Sequence, residues 1–150
     1  MIKNERQYLI TQAQFRKFRE AIEALDSETS DTHPVLMKAQ RDALKSQLAD
    51  LGAELTEYER LRSGKLRKLK KSTFQELPTE LIRARIARGL TQKDLARKLG
   101  LKEQQIQRYE ETDYASASLH RVYEVIKALD IEVREEVILD YGQRAPSGVT

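Results

Sequence analysis

The chain has 150 residues, no cysteine, six glycines, three prolines and charged side chains at 34% of positions. A mean hydropathy of −0.66 argues against a membrane span, and the lack of cysteine excludes disulfides and thiolate metal sites, as expected of a cytoplasmic protein with no membrane partner. The opening residues lack the apolar core of a secretion signal, and helix formers dominate the composition, so one ordinary all-α domain or two small ones are expected.

The net charge of +3 conceals an uneven distribution. Residues 63–128 hold 15 Lys/Arg against 8 Asp/Glu, whereas residues 1–62 hold 10 against 11 and residues 129–150 hold 2 against 5. Positive charge is concentrated in one segment, as in a module that faces phosphates; a solvated basic surface is the plainer explanation.

Residues 1–62 predict an antiparallel, coiled-coil-like helical hairpin. Tyr8, Thr11, Phe15, Phe18, Ile22 and Leu25 alternate spacings of three and four, which lines them along one seam. Thr11-Gln-Ala-Gln14 has the form of a capping box, so the first helix is expected to start at Thr11, with residues 2–10 extended. Residues 26–33 make the connection, and Pro34 suits the first turn of the next helix. Met37, Leu44, Leu48, Leu51, Leu55 and Tyr58 form the second seam, with Arg41 and Gly52 as its weak points. Apolar residues left over, among them Ile10, Leu36 and Leu61, suggest a second contact, most economically a dimer partner.

Residues 63–71 form a linker in which five of the seven residues from Lys65 to Lys71 are basic. It lies along a DNA backbone on one reading and is a solvated connector on the other. A second domain is expected over 72–140. Pro78 opens a helix that turns Leu81, Ile82 and Ile86 inward and Arg83, Arg85 and Arg88 outward, and Gly89 ends it.

Residues 90–110 carry the sharpest signal. Thr91 sits where an N-cap belongs, Leu95, Ala96 and Leu99 recur at helical spacing, and Gly100 allows a left-handed turn. A second short helix follows, with Ile106 and Tyr109 inward and Glu103, Gln104, Gln107 and Arg108 outward. Two helices meeting at such a turn are the arrangement that lays the second one in the major groove of double-stranded DNA. A last helix from Ser118 is expected to bury Leu119, Val122, Val125, Ile126 and Leu129. Residues 131–139 are β-branched enough to suggest a short C-terminal strand, and 141–150 a disordered tail.

Ile86, Gly89, Leu90-Thr-Gln92, Leu95-Ala96, Leu99-Gly100, Ile106, Arg108-Tyr109-Glu110, Leu119 and Ala128-Leu129 together resemble the Cro/CI-like helix-turn-helix family, also called XRE, over residues 78–131. The resemblance implies a lambda-repressor-like domain of four to five helices. It also implies a sequence-specific transcriptional regulator, with repression the expected mode. A second implied class is an antitoxin that holds a cognate toxin and represses its own promoter.

By position, Gln92 resembles the family glutamine that binds a phosphate and braces the recognition helix. Glu103, Gln104, Gln107 and Arg108 fall where family members touch base edges or neighbouring phosphates. Two departures stand out: Lys102 replaces a common capping Ser or Thr, and Glu111-Thr-Asp113 replaces a glycine-containing turn.

Chemistry assigns roles to these positions. Gln104 and Gln107 can offer an amide pair to adenine, Arg108 can reach guanine or phosphate, and Glu103 can accept from cytosine. Lys93, Lys102, Arg83, Arg85 and Arg88 are candidates for phosphates, with Tyr114, Ser116 and Ser118 as hydroxyl donors, although Ser118 equally suits a helix cap. One such domain reads only a few base pairs, so a homodimer joined through the hairpin on a palindromic operator is expected. Enzymatic readings find no support: neither His33 nor His120 belongs to a metal-ligand motif, and no phosphate loop or nucleophile motif occurs, so neither cofactor nor catalytic residue is expected.

Overall fold

The computed structural model describes residues 1–27, 33–69 and 73–139. Most of the connection expected at 26–33, Lys70 and Lys71 of the basic run, and the expected disordered tail lie outside the described residues. Those residues form six α-helices and one 3-10 turn: α1 Glu5–Ser27, α2 Pro34–Arg62, the turn Phe74–Glu76, α3 Leu77–Ala87, α4 Gln92–Leu99, α5 Glu103–Glu111 and α6 Leu119–Ala128. The all-α class and the four-helix domain after the hairpin agree with the sequence.

The first helix starts earlier than expected. Asn4 Oδ1 accepts from the Gln7 backbone N–H at 2.9 Å, and Gln7 Oε1 accepts from the Lys3 N–H at 2.8 Å. Asn4-Glu-Arg-Gln7 thus offers the same capping chemistry as Thr11-Gln-Ala-Gln14, one helical segment earlier. Thr11 is instead buried on the seam.

The helices of the hairpin run antiparallel. Arg62 pairs with Glu5 at 2.6 Å at one end and Arg41 with Asp26 at 2.7 Å toward the other. The weak points of the second seam thereby acquire reasons. Arg41 has an acidic partner on α1, and Gly52 makes room for Phe15, whose Cε2 would lie 3.2 Å from an added Cβ.

At its open end the hairpin joins the second half of the chain. The Tyr8 and Tyr58 rings stack with centroids 5.1 Å apart, and Ile2, Tyr58 and Leu61 share one core with Leu77, Leu81, Ile82, Leu95 and Ile106. Leu61 is fully buried there, so it is not available to a second subunit as its sequence position suggested. Ile10 and Leu36 do remain half or more exposed. Arg83 ties α3 to the hairpin, its Nε 2.8 Å from Glu57 and its Nη1 2.6 Å from Glu80.

Two further expectations change. Leu119 is exposed although Ser118 caps α6 as expected, accepting from the Arg121 N–H; the packed part of the helix begins only at Val122. No strand forms among the described residues. Residues 131–139 belong to no regular element: Ile131 and Val133 pack on the core while Val137, Ile138 and Leu139 are exposed. β-branched composition makes a strand only where another strand offers its backbone, and none of the described residues does.

Candidate nucleic-acid interface

The α4–α5 pair is built from capping and turn chemistry. Thr91 Oγ1 accepts from the Asp94 N–H at 3.0 Å, and the Asp94 carboxylate accepts from the Thr91 N–H at 3.0 Å and from its hydroxyl at 2.6 Å. These bonds, the hydroxyl's above all, hold the Asp94 carboxyl below the usual carboxylate range. Gly100 closes α4 with φ +66°, a left-handed value that costs glycine least. Leu101 then donates back to the Ala96 carbonyl at 2.8 Å, which fixes the angle at which α5 departs. Leu95, Ala96 and Ile106 are buried between the two helices. The missing Ser or Thr cap on α5 is partly made good by Gln105, whose Oε1 accepts from the Lys102 N–H at 3.0 Å.

Behind α5 lies a buried polar network. Arg85 grips Glu110 with two bonds, Nε to Oε1 at 2.5 Å and Nη2 to Oε2 at 2.8 Å. Its remaining donors reach the Leu90 carbonyl at 2.8 Å and the Lys3 carbonyl at 2.6 Å. Gln92 Nε2 donates to Glu110 Oε2 at 2.7 Å, and Gln92 Oε1 accepts from Asn4 Nδ2 at 3.3 Å. Lys3 Nζ donates to the Glu110 carbonyl and lies 3.4 Å from the Asp113 carboxylate, which satisfies the C-terminal end of α5.

This network corrects several expectations. Arg85, expected outward for phosphate, is buried, because its position falls on the arc of α3 shared by Leu81, Ile82 and Ile86 and its charge meets Glu110 there. Arg83 is half-buried and turned to Glu57 and Glu80 at the hairpin junction. Gln92 is buried, with its side-chain amide engaged by Glu110 of α5 and by Asn4, and its side chain does not point to solvent. Tyr114 is also buried, stacked on Tyr109 at 6.0 Å, and burial pushes its phenol above the ordinary range, so it is not a surface donor. Ser116 Oγ pairs with Thr112 Oγ1 at 2.9 Å, and Ser118 caps α6.

The outer face of α5 is as expected. Glu103, Gln104 and Arg108 are exposed, and half-buried Gln107 lies beside them, its Nε2 3.3 Å from Glu103 Oε1. Lys93 and Lys102, near the N-terminal ends of α4 and α5, are exposed and have no ion-pair partner among the described residues; the same holds for Arg108. Arg88 is exposed and donates to the Asp130 carbonyl.

Glu110 is the residue sequence reasoning missed. Its signal was present: it follows Ile106 by four, which puts a carboxylate on the apolar face of a short helix, where a buried cation must answer it.

A scan against family models matches residues 81–135 to the helix-turn-helix family. These residues are a Cro/CI-type helix-turn-helix domain. The matched span covers most of α3, all of α4, α5 and α6, and the start of the C-terminal extension. Neither the curated proteins nor the solved structures gave a match to the chain. A helix-turn-helix domain implies sequence-specific DNA binding and a role in transcriptional regulation, and the family is typically non-enzymatic. No described helix is long and apolar enough to cross a membrane.

Proposed function

We propose that the chain is a transcriptional repressor that binds a palindromic operator as a homodimer, with α5 as the recognition helix in the major groove. The observation that carries this reading is the two-sidedness of α5. Its inner side is locked by Ile106 and the Arg85–Glu110–Gln92 network, and its outer side offers Glu103, Gln104, Gln107 and Arg108 beside the exposed cations Lys93 and Lys102. A reading head needs both properties, because base contacts discriminate only when the helix bearing them is held in register.

In this reading Gln104 and Gln107 contact adenine edges, Arg108 contacts guanine or phosphate, and Glu103 accepts from cytosine. Lys93, Lys102 and Arg88 sit on phosphates, together with the free backbone N–H groups of the first turn of α4, where Gln92 and Lys93 begin the helix. Residues 1–62 serve as the dimerising unit, residues 63–71 as the basic linker and residues 72–140 as the DNA-binding unit with its extension. Selection from random duplex DNA with the full chain tests the proposal. The expected product is an inverted repeat bound by two chains; a pool whose sequence composition does not change on selection would overturn it.

A further inference from the structure

The segment after α6 has backbone to spare. The Ile131 N–H donates to the Ile126 carbonyl, but no backbone N–H or carbonyl from residue 132 to residue 139 has a hydrogen-bond partner among the described residues. The segment begins with the two-residue period of a strand. Ile131 and Val133 pack on the core, while Glu132 and Arg134, the alternate positions, are exposed and pair with each other at 2.7 Å. Val137, Ile138 and Leu139 follow, each with more than two thirds of its surface exposed. An extended, β-branched segment with its backbone unpaired is a template for another strand.

The segment's own sequence supplies that strand. In an antiparallel pair related by a two-fold axis, opposed residues share a face, so the axis passes through a single residue position. With the axis at Glu135, every position from Ile131 to Leu139 is paired. One face then sets Ile131 against Leu139 and Val133 against Val137, and the other sets Arg134 against Glu136, each pair occurring twice. An axis at residue 134 would oppose Arg134 to itself and Glu132 to Glu136. An axis at residue 136 would set Glu135 against Val137 and Arg134 against Ile138. Glu135 facing its own copy is the one like-charge pair in the favoured register.

That register also answers the exposure of two apolar residues. Val137 and Leu139 come to lie beside Val133 and Ile131 of the other copy, which already rest on its core. We propose that residues 131–139 are the strand through which two copies of the chain pair, antiparallel and centred on Glu135. A different protein would have to bring matching charges of its own, whereas a second copy carries them at the required positions. The pairing joins the two DNA-binding units directly. It goes beyond the dimer of the preceding subsection, which is placed in the hairpin, and does not depend on it.

The full chain contains no cysteine, so single cysteines placed in the segment read the register directly. Residues 132, 134, 135 and 136 are exposed, and circular dichroism should show unchanged helix content in every variant. Glu135→Cys sets two thiols across the axis, with Cα atoms about 4.5–5.5 Å apart, within disulfide reach. It is expected to become a covalent dimer under mild oxidation. Glu132→Cys holds its two thiols about 20 Å apart and is expected to stay uncrosslinked. Adding Arg134→Glu to Glu135→Cys should slow cross-linking several-fold, and adding Glu136→Arg as well should restore it, because the swapped charges again meet their opposites. Failure of Glu135→Cys to cross-link, equal cross-linking of Glu132→Cys, or a charge swap that does not restore the rate would each overturn the pairing. Selection of an inverted repeat bound by two chains would in those cases leave the proposed function standing. Cross-linking as described in a chain that selects no DNA sequence would strike the proposed function alone.

Discussion

Arg85 and Glu110, 25 positions apart in the chain, form a two-pronged ion pair whose side chains are 3% and 0% exposed. The pair joins α3 to the far end of α5, and Gln92 adds the first residue of α4 to the same carboxylate. Three helices of the helix-turn-helix domain therefore share one buried polar centre. Removing one partner strands the other charge away from water, so Arg85→Met is expected to cost about 3–5 kcal/mol in urea unfolding. Arg85→Met/Glu110→Leu should recover part of that and not all, because Gln92 Nε2 and the Leu90 and Lys3 carbonyls lose their partners as well. A single variant costing under about 1 kcal/mol would contradict the buried pair.

Asn4 performs two tasks that one substitution separates. Its Oδ1 caps α1, and its Nδ2 holds the Gln92 amide in place. Aspartate caps as well as asparagine but has no donor when ionised. Asn4→Asp is therefore expected to leave thermal unfolding nearly unchanged while loosening Gln92 and lowering affinity for the selected DNA site severalfold. Asn4→Ala should lower both, with about 1 kcal/mol of stability lost at the cap. Equal affinity in Asn4→Asp and the parent would remove Asn4 from the bracing of the reading head.

The fold was legible where local chemistry and periodicity agreed. Thr91, Gly100 and Ser118 act as cap, turn and cap because each rule involves neighbours within four residues. The hairpin seam was legible for the same reason. Arg85, Gln92 and Glu110 were not, since polar residues default to the surface, and their burial depends on three elements meeting at one point. Leu61 was misread because the seam of α2 runs without a break into the core of the next domain. The part played by Lys3 and Asn4 was hidden in the same way: the start of the chain meets α3, α4 and α5 only after the hairpin has folded back.

Base and phosphate contacts make different predictions. Gln104→Ala is expected to cost about 1–3 kcal/mol on the selected site, to relax preference at one position and to leave binding to random DNA almost unchanged. Lys93→Ala should weaken selected and random DNA alike and make the logarithm of affinity less steep in the logarithm of salt. Titrations on both duplexes at several salt concentrations separate the two. Identical behaviour of the variants would remove Gln104 from the set of base contacts.

Acid should loosen the start of α4. The Asp94 carboxyl is held below its ordinary value of 3.8 by the Thr91 hydroxyl first and then by the Thr91 backbone N–H; desolvation opposes them, and the charges of Arg97 and Lys93 add the least. A depressed carboxyl binds its proton less readily in the folded state than in the unfolded one. Its contribution to stability is therefore complete above the ordinary value and is lost as the pH falls through the lower, folded-state value. Other carboxylates titrate over the same range, so the measurement is the stability difference between the parent and Asp94→Ala, from urea unfolding at several pH values. That difference is expected to be constant near neutrality and to shrink once the pH drops below about 4. A difference that stays level down to the acid limit of folding would mean that the Thr91–Asp94 box owes nothing to the carboxylate charge.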